Sequence, residues 1–172
     1  METQFVGGSR NKVDGKGRVS IPAKYRRVLQ NSDSDYAPGG APRLYITHGN
    51  PKNDYLECWS GDSYDKLMRQ IGAMKTGSKE KNLLSYYYKT KCEALTVDDS
   101  GRLVLPPELR EKMGLSEEIV FDGDGEKFLI MSFEASEKRE AAMLAMLDEA
   151  LGGDPNADLL SLVGEDPLDA VQ

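Results

Sequence analysis

The sequence predicts an α+β fold that is mainly β and is built from two copies of one short unit. The stretch VDGKGRVSIP at positions 13–22 returns as VDDSGRLVLP at positions 97–106, with the same spacing of aspartate, glycine, arginine and proline. Each copy is followed by a short helical pattern and by two further strand-like segments. An open array needs roughly three repeats to cover its own faces. Two copies therefore predict one pseudo-two-fold, barrel-like domain with flanking helices.

The repeated stretch has the pattern of a β-hairpin. A strand ends at Asp14 or Asp98, and Gly17 or Gly101 permits the positive φ of a tight turn. An alternating strand then leads to a proline, whose fixed φ suits the first turn of a helix. Hydrophobic spacing and turn residues predict the other elements. These are a helix at 23–29 and strands at 43–47 and 55–59 in the first copy, and a helix at 107–113 and strands at 118–121 and 127–132 in the second.

The segments outside the two copies are predicted to be helical or acidic. Residues 61–74 and 80–88 carry apolar side chains at helical spacing, and a short glycine-containing joint separates them. Residues 136–151 are predicted to continue as a helix until a GGDP sequence ends it. We therefore divide the chain into a first repeat at 4–60, connecting helices at 61–88, a second repeat at 89–133 and an acidic helical or disordered tail at 134–172.

The net charge of −7 is distributed unevenly along the chain. The tail carries ten acidic and two basic residues, whereas residues 1–30 carry seven basic and two acidic ones. The overall charge would argue against a polyanionic partner, but the amino-terminal segment has the local surplus of lysine and arginine that phosphate binding requires. The basic candidates for contact with nucleic acid are Arg10, Lys12, Lys16, Arg18, Lys24, Arg26 and Arg27.

The sequence leaves two interpretations of Arg18 open. Its guanidinium group could form a bidentate bond with O6 and N7 of a guanine in the major groove. Alternatively, it folds back onto Asp14 as an ion pair that stabilises the turn, which contributes little if it is exposed. The basic surroundings favour DNA contact in the first copy. In the second copy acidic residues outnumber basic ones, which favours a structural role for Arg102.

Several classes of function are disfavoured. No apolar run approaches the ~20 residues of a membrane span, and the start of the chain lacks the apolar stretch of a signal peptide. We therefore expect a cytoplasmic protein without a membrane partner. Cys58 and Cys92 lack a second ligand at metal-binding spacing, so we interpret both as small buried residues and predict no metal and no cofactor. The single histidine, His48, has no nucleophile at catalytic spacing. We expect no enzyme and no small-molecule substrate.

The duplicated Asp-x-x-x-Arg, the glycine before the arginine and the Ile-Pro or Leu-Pro exit resemble the MraZ family, whose two halves are both AbrB-like swapped-hairpin repeats. The resemblance covers roughly residues 4–133. It implies a sequence-specific transcriptional regulator that is associated with the nucleoid and assembles into a homo-oligomeric ring. It also implies double-stranded promoter DNA as the partner, upstream of the cell-division and cell-wall gene cluster, with short G-rich direct repeats as the operator. The motif positions fall on Asp14, Lys16, Arg18, Asp98 and Arg102, with Gly17 and Gly101 in the turns.

Two positions depart from the family pattern, and neither touches the first motif. Pro107 follows Pro106 where the first copy has Ala23, and Met131 begins a Met-Ser-Phe ending of the last strand where relatives often carry tryptophan. The alternative function is a protein-binding adaptor or antitoxin-like module that uses the same fold. Such an adaptor would bind neither heparin nor promoter DNA at low salt, which separates the two hypotheses.

Overall fold

The computed structural model describes residues 1–164, and its elements follow the predicted order in both copies. The first copy contains β1 (Gly8–Lys12), β2 (Arg18–Ser20), α1 (Ala23–Asn31), β3 (Arg43–Thr47) and β4 (Leu56–Ser60). The connecting segment contains α2 (Gly61–Gly72) and α3 (Lys79–Ser85), which continues into a π-helical turn (Tyr86–Thr90). The second copy contains β5 (Cys92–Thr96), β6 (Arg102–Val104), α4 (Pro107–Lys112), β7 (Glu118–Asp124) and β8 (Lys127–Ser132). The helix α5 (Phe133–Ala150) follows.

The strands form two antiparallel sheets. Six of them lie in the order β1-β7-β8-β4-β3-β5, and the short strands β2 and β6 pair with each other. We expected a barrel-like domain, but in the described part of the chain neither sheet closes on itself, and β1 and β5 lie at the edges of the larger one. The strands β2 and β6 form a separate two-stranded sheet and do not pair with an edge of the larger one.

Most strand pairings join one copy to the other. β1 of the first copy lies on β7 of the second, and β5 of the second copy lies on β3 of the first. At the centre of the larger sheet, β4 pairs with β8. A two-stranded hairpin is marginally stable in water. The predicted hairpins are therefore exchanged, because the two strands that flank each turn pair with strands of the other copy. Among the described residues, β1 and β2 are joined as strands only by an isolated bridge between Val13 and Val19.

The main hydrophobic core takes residues from both copies. Four aromatic rings pack with their centroids 5.0 to 6.2 Å apart, an arrangement in which edge-to-face and tilted contacts add to area burial. They are Phe5, Tyr25, Phe121 and Phe128. Burial raises the pKa of the Tyr25 phenol, which donates a hydrogen bond to the carbonyl of Gly7. The helix α1 is thereby tied to the segment that leads into β1.

The loop before β3 is held by one arginine among four aspartates. Arg43 Nε donates to Asp33 at 2.9 Å and Nη1 to Asp65 at 3.0 Å, and Asp35 and Asp62 lie 3.6 Å from Nη2. The Asp33 side chain is 1% exposed, and burial opposes its charge. Even so, the hydrogen bonds from Arg43 lower the pKa of Asp33, so the pair remains charged. This cluster joins the loop, β3 and the start of α2.

The chain divides into two compact units, Met1–Ala135 and a second that begins at Ser136. The described part of the tail continues α5 to Ala150 and ends in a 3₁₀ turn, Leu159–Val163. The tail was predicted to be helical or disordered, and its last positions, 165–172, lie outside the described residues. Within residues 1–164, no helix combines the length and the apolar character that crossing a membrane would need.

Candidate nucleic-acid interface

The first repeated motif forms a tight turn organised around Asp14. Its Oδ1 accepts the backbone N–H groups of Lys16 and Arg18, both at 2.9 Å. Its Oδ2 accepts from Arg18 Nε at 2.6 Å, and its backbone carbonyl accepts the N–H of Gly17 at 3.0 Å. One carboxylate thus satisfies three donors and fixes the spacing from Asp14 to Arg18.

The second motif forms the same turn around Asp98. The backbone N–H groups of Ser100 and Arg102 donate to Oδ1, both at 2.9 Å, and Arg102 Nε donates to Oδ2 at 3.2 Å. The ion pair that we considered as one interpretation of Arg18 is therefore present in both copies. In each pair the arginine uses Nε. For Arg18, the described residues supply no other hydrogen bond to the guanidinium group, so its two terminal nitrogens are available for an external acceptor.

The hydrogen bonds in the turns perturb both carboxylates. The backbone N–H of Arg18, assisted by its guanidinium group and by the N–H of Lys16, lowers the pKa of Asp14 to about 2, although desolvation opposes this shift. The backbone N–H of Arg102 similarly lowers the pKa of Asp98. Both aspartates are therefore ionised at neutral pH, and each offsets the charge of its own arginine. The net charge of each turn depends on the residues at its tip.

One arginine from α1 and one from α4 each pack against the motif turn of the other copy. Gly101 has φ +76°, and a Cβ placed there would overlap Nη1 of Arg26. Gly17 has φ +79°, and a Cβ there would lie 2.8 Å from Nε of Arg110 and 2.9 Å from the carbonyl oxygen of Leu105. Both turns thus need glycine for two reasons, the left-handed backbone and the close approach of an arginine.

The strands that leave the two turns form an antiparallel ribbon. In β2 and β6, Arg18 lies opposite Val104, Val19 opposite Leu103 and Ser20 opposite Arg102. The ribbon is extended at its ends because Ile21 N–H donates to the carbonyl of Gly101 and Leu105 N–H to that of Gly17, both at 2.9 Å. The two motif turns therefore lie at opposite ends of one short ribbon.

The seven predicted basic residues do not share one location. Lys12, Lys16 and Arg18 belong to the first hairpin, at the end of β1, in the turn and at the start of β2. The other four make contacts elsewhere. Arg10 pairs with Glu118 at 3.1 Å and lies 4.0 Å from the ring of Phe133; Arg27 pairs with Glu2 at 3.3 Å; Lys24 lies beside Gly7; and Arg26 packs on Gly101.

The tips of the two turns differ in charge. The first tip is Gly15-Lys16, whereas the second is Asp99-Ser100. Among residues 1–164, no carboxylate lies within 4.0 Å of the amine of Lys12 or Lys16. The first hairpin therefore has uncompensated positive charge beside an ion-paired arginine, and the second has an additional negative charge.

The sequence places Arg26 among the candidates for contact with nucleic acid, whereas Arg110 is not among them. In the structure Arg26 and Arg110 occupy equivalent positions, since each packs on the turn glycine of the other copy. Arg26 Nε is buried without a hydrogen-bond partner among the described residues. The signal was present in the sequence, because an arginine recurs four positions after the proline in both copies, together with the turn glycine. This recurrence indicates a shared packing role.

The described residues contain no cluster of three or more histidine, cysteine, aspartate or glutamate side chains arranged to hold a metal ion. His48 lies just after β3, where burial and then the charge of Lys112 lower its pKa. Cys58 is buried, as predicted, whereas Cys92 is only partly buried. The geometry that stands out is thus the hairpin pair.

Comparison with known proteins gives matches over both halves of the chain. The family described as "MraZ protein, putative antitoxin-like" matches residues 5–85 and 90–146. A protein of Ruegeria sp. (strain TM1040) named transcriptional regulator MraZ is 41% identical over 90% of this chain and 92% of its own length. Proteins with the same name from Ruegeria pomeroyi and Cereibacter sphaeroides are 39% and 34% identical, over 87% and 98% of this chain and over 90% and 100% of their own lengths. The chain belongs to the MraZ family.

Proposed function

We propose that the chain is a sequence-specific transcriptional regulator that places its first hairpin against double-stranded DNA. Lys12 and Lys16 contact phosphates, and the terminal nitrogens of Arg18 contact a base edge or a phosphate. Lys24, on the helix that follows, adds to the basic surface. Arg10, Arg26 and Arg27 act through the contacts that they already make within the chain.

One observation carries this proposal, namely the charge difference between two turns of the same geometry. Both turns have the same aspartate, the same hydrogen bonds and the same arginine contact. Only the first adds Lys16 at its tip, and the strand that leads into this turn ends at Lys12, whose amine has no carboxylate within 4.0 Å among the described residues. A polyanion is attracted to the first turn and repelled by Asp99 at the second.

The proposed assembly is a homo-oligomeric ring built from pseudo-two-fold subunits. The strand order supports the pseudo-symmetry, because exchanging each strand for its counterpart in the other copy gives the same order read from the opposite edge. The larger sheet has two open edges, β1 and β5, and the apolar side chains of Leu83 and Tyr86 are exposed. Contact with other subunits would cover these surfaces, which supports an assembly. In such a ring, several basic hairpins contact successive short repeats, and the target by family resemblance is the promoter of the cell-division and cell-wall gene cluster.

Exchanging the two turn tips tests the proposal. The variant Gly15→Asp/Lys16→Ser gives the first turn the tip of the second, and no atom lies within 4 Å of the Cβ position at Gly15, so the turn accommodates the change. We expect at least a tenfold loss of affinity for duplex DNA and a lower salt dependence, by about one unit of slope for each hairpin in contact. The matched variant Asp99→Gly/Ser100→Lys should bind as well as wild type or better.

The probe is the promoter DNA upstream of the chain's own gene, with a random duplex for comparison, at two salt concentrations. Light scattering of each variant checks that the particle mass is unchanged. Unchanged binding by the first variant would refute the assignment to the first hairpin. A wild-type protein that bound neither heparin nor either duplex at low salt would instead support the adaptor hypothesis.

A further inference from the structure

The ribbon formed by β2 and β6 has one buried face and one open face. Val19 and Leu103 are 1% and 0% exposed and belong to the main core. Side chains alternate along a strand. The open face therefore carries the residues on either side of these two, which are Arg18, Ser20, Arg102 and Val104. Each copy contributes two of the four.

Val104 is unusual on this face because it is a large aliphatic residue that is 52% exposed. The position equivalent to Val104 in the first copy is Ser20, so the repeat itself does not require an apolar side chain here. Val104 also makes no part of either hydrophobic cluster of the described residues. An exposed valine among arginine and serine is thus not explained by packing within residues 1–164.

The register places Val104 directly opposite Arg18. The Cβ atoms of facing residues in an antiparallel pair are about 5 Å apart. Successive base pairs in DNA are about 3.4 Å apart. Two side chains that project from this pair therefore reach bases in the same or the neighbouring one or two base pairs. The major groove of DNA is wide enough for a two-stranded ribbon.

We propose that Val104 is a specificity-determining residue that contacts the C5-methyl group of a thymine within about two base pairs of the base contacted by Arg18. This inference rests on the proposed function and adds the second copy to the base-reading surface. Apolar side chains discriminate thymine through this methyl group, which cytosine and the purines lack. The positive charge of the first hairpin attracts the DNA phosphates to this face, whereas the apolar side chain of Val104 can contact only a base.

The test removes the methyl group from either partner. Wild-type protein first selects duplexes from a randomised 20-base-pair pool, and each thymine of the selected site is then replaced by deoxyuridine. We expect one thymine per repeat whose replacement weakens wild-type binding about fourfold for each contact, the value of one buried methyl-sized group. Val104→Ala should bind the thymine site equally weakly and lose nothing further with deoxyuridine. Val104→Thr, which keeps a methyl group, should retain the dependence.

The matched control is Val6→Ala, since Val6 is a 68% exposed valine that lies before β1 and outside the ribbon. It should show the full wild-type dependence on thymine. If wild type selects a site but Val104→Ala keeps the same methyl dependence, the inference about Val104 is wrong and the proposed function stands. A change in particle mass for Val104→Ala would assign Val104 to a subunit contact and also overturn the inference. If wild type selects no sequence, both the inference and sequence-specific binding fail.

Discussion

Alanine substitutions at three glycines of the motif turns should differ in cost because the space around each glycine differs. Gly15 has a backbone that any residue can adopt and no atom within 4 Å of its Cβ position. Gly101 has a positive φ, and the three atoms nearest to its Cβ position all belong to the flexible side chain of Arg26. Gly17 has a positive φ and is blocked by the backbone carbonyl of Leu105 as well as by Arg110.

The expected losses follow from these contacts. A non-glycine residue in the left-handed region costs about 1 to 2 kcal/mol. Overpacking against atoms that cannot move adds roughly 1 to 3 kcal/mol. We therefore expect Gly17→Ala to lower the free energy of unfolding by about 2 to 5 kcal/mol, and Gly101→Ala by about 1 to 3 kcal/mol because the side chain nearest to it can move aside. Gly15→Ala should leave it unchanged or raise it by about 0.5 kcal/mol, since alanine restricts the unfolded chain.

Urea unfolding followed by the fluorescence of Trp59, the single and buried tryptophan, measures these differences. In thermal unfolding, 1 kcal/mol corresponds to about 3.5 °C for the unit Met1–Ala135, at roughly 2.1 cal/mol/K for each residue. In an Arg26→Ala background, the cost of Gly101→Ala should fall, because the nearest atoms to its Cβ position are removed. Equal costs for Gly15→Ala and Gly17→Ala would refute the steric argument, and so would full rescue of Gly17→Ala by Arg110→Ala.

Three further predictions concern charge. Asp14 has a folded pKa of about 2 against an ordinary 3.8, so its stabilising effect is complete above pH 4 and is lost as the pH falls toward 2. The difference in Tm between wild type and Asp14→Asn should therefore shrink over that range, and a constant difference would contradict it. Asp33→Ala should cost about 2 to 4 kcal/mol in urea unfolding because it leaves Arg43 without its buried partner, whereas Asp35→Ala should cost less than about 0.5 kcal/mol since that side chain is 77% exposed. Ending the chain after Ala135, which is buried, removes nine acidic and two basic residues and should tighten binding to random duplex DNA at low salt but not at high salt. Equal affinity at low salt would leave the tail no electrostatic role.

Much of the fold could be predicted from the sequence because the repeat fixes the element order twice. The strands Arg43–Thr47 and Lys127–Ser132 begin and end where alternation and turn residues predict. Two helix boundaries in the connecting segment differ from those that the sequence predicts. α2 ends at Gly72, two residues early, and the predicted helix at 80–88 changes to a π-helical turn at Tyr86. Hydrophobic spacing does not distinguish these helix types over so few residues.

The pairing between copies was not predictable from the same patterns. Alternation shows which side chains of β2 are buried, but it does not show that the partner strand is β6. Position along the sequence also does not show how the predicted site residues are arranged in space. Arg26 and Arg18 are both basic residues near the first hairpin in sequence, yet Arg26 lies against the turn of the other copy. Proximity along the chain thus grouped residues that the exchanged strands separate.

The duplication offers a way to separate folding from function inside a single chain. Residues that are identical in the two copies serve a structural requirement that both copies share. In each turn the aspartate binds one arginine, and the glycine makes room for a second arginine from the other copy. Such identity is therefore evidence for turn geometry and packing. Exposed positions that differ between equivalent sites are free of that constraint. Lys16 against Ser100 and Val104 against Ser20 are differences of this kind, and both lie on the hairpins where the turn geometry is the same. These positions, rather than the repeated motif itself, are where the two halves can take different roles on DNA.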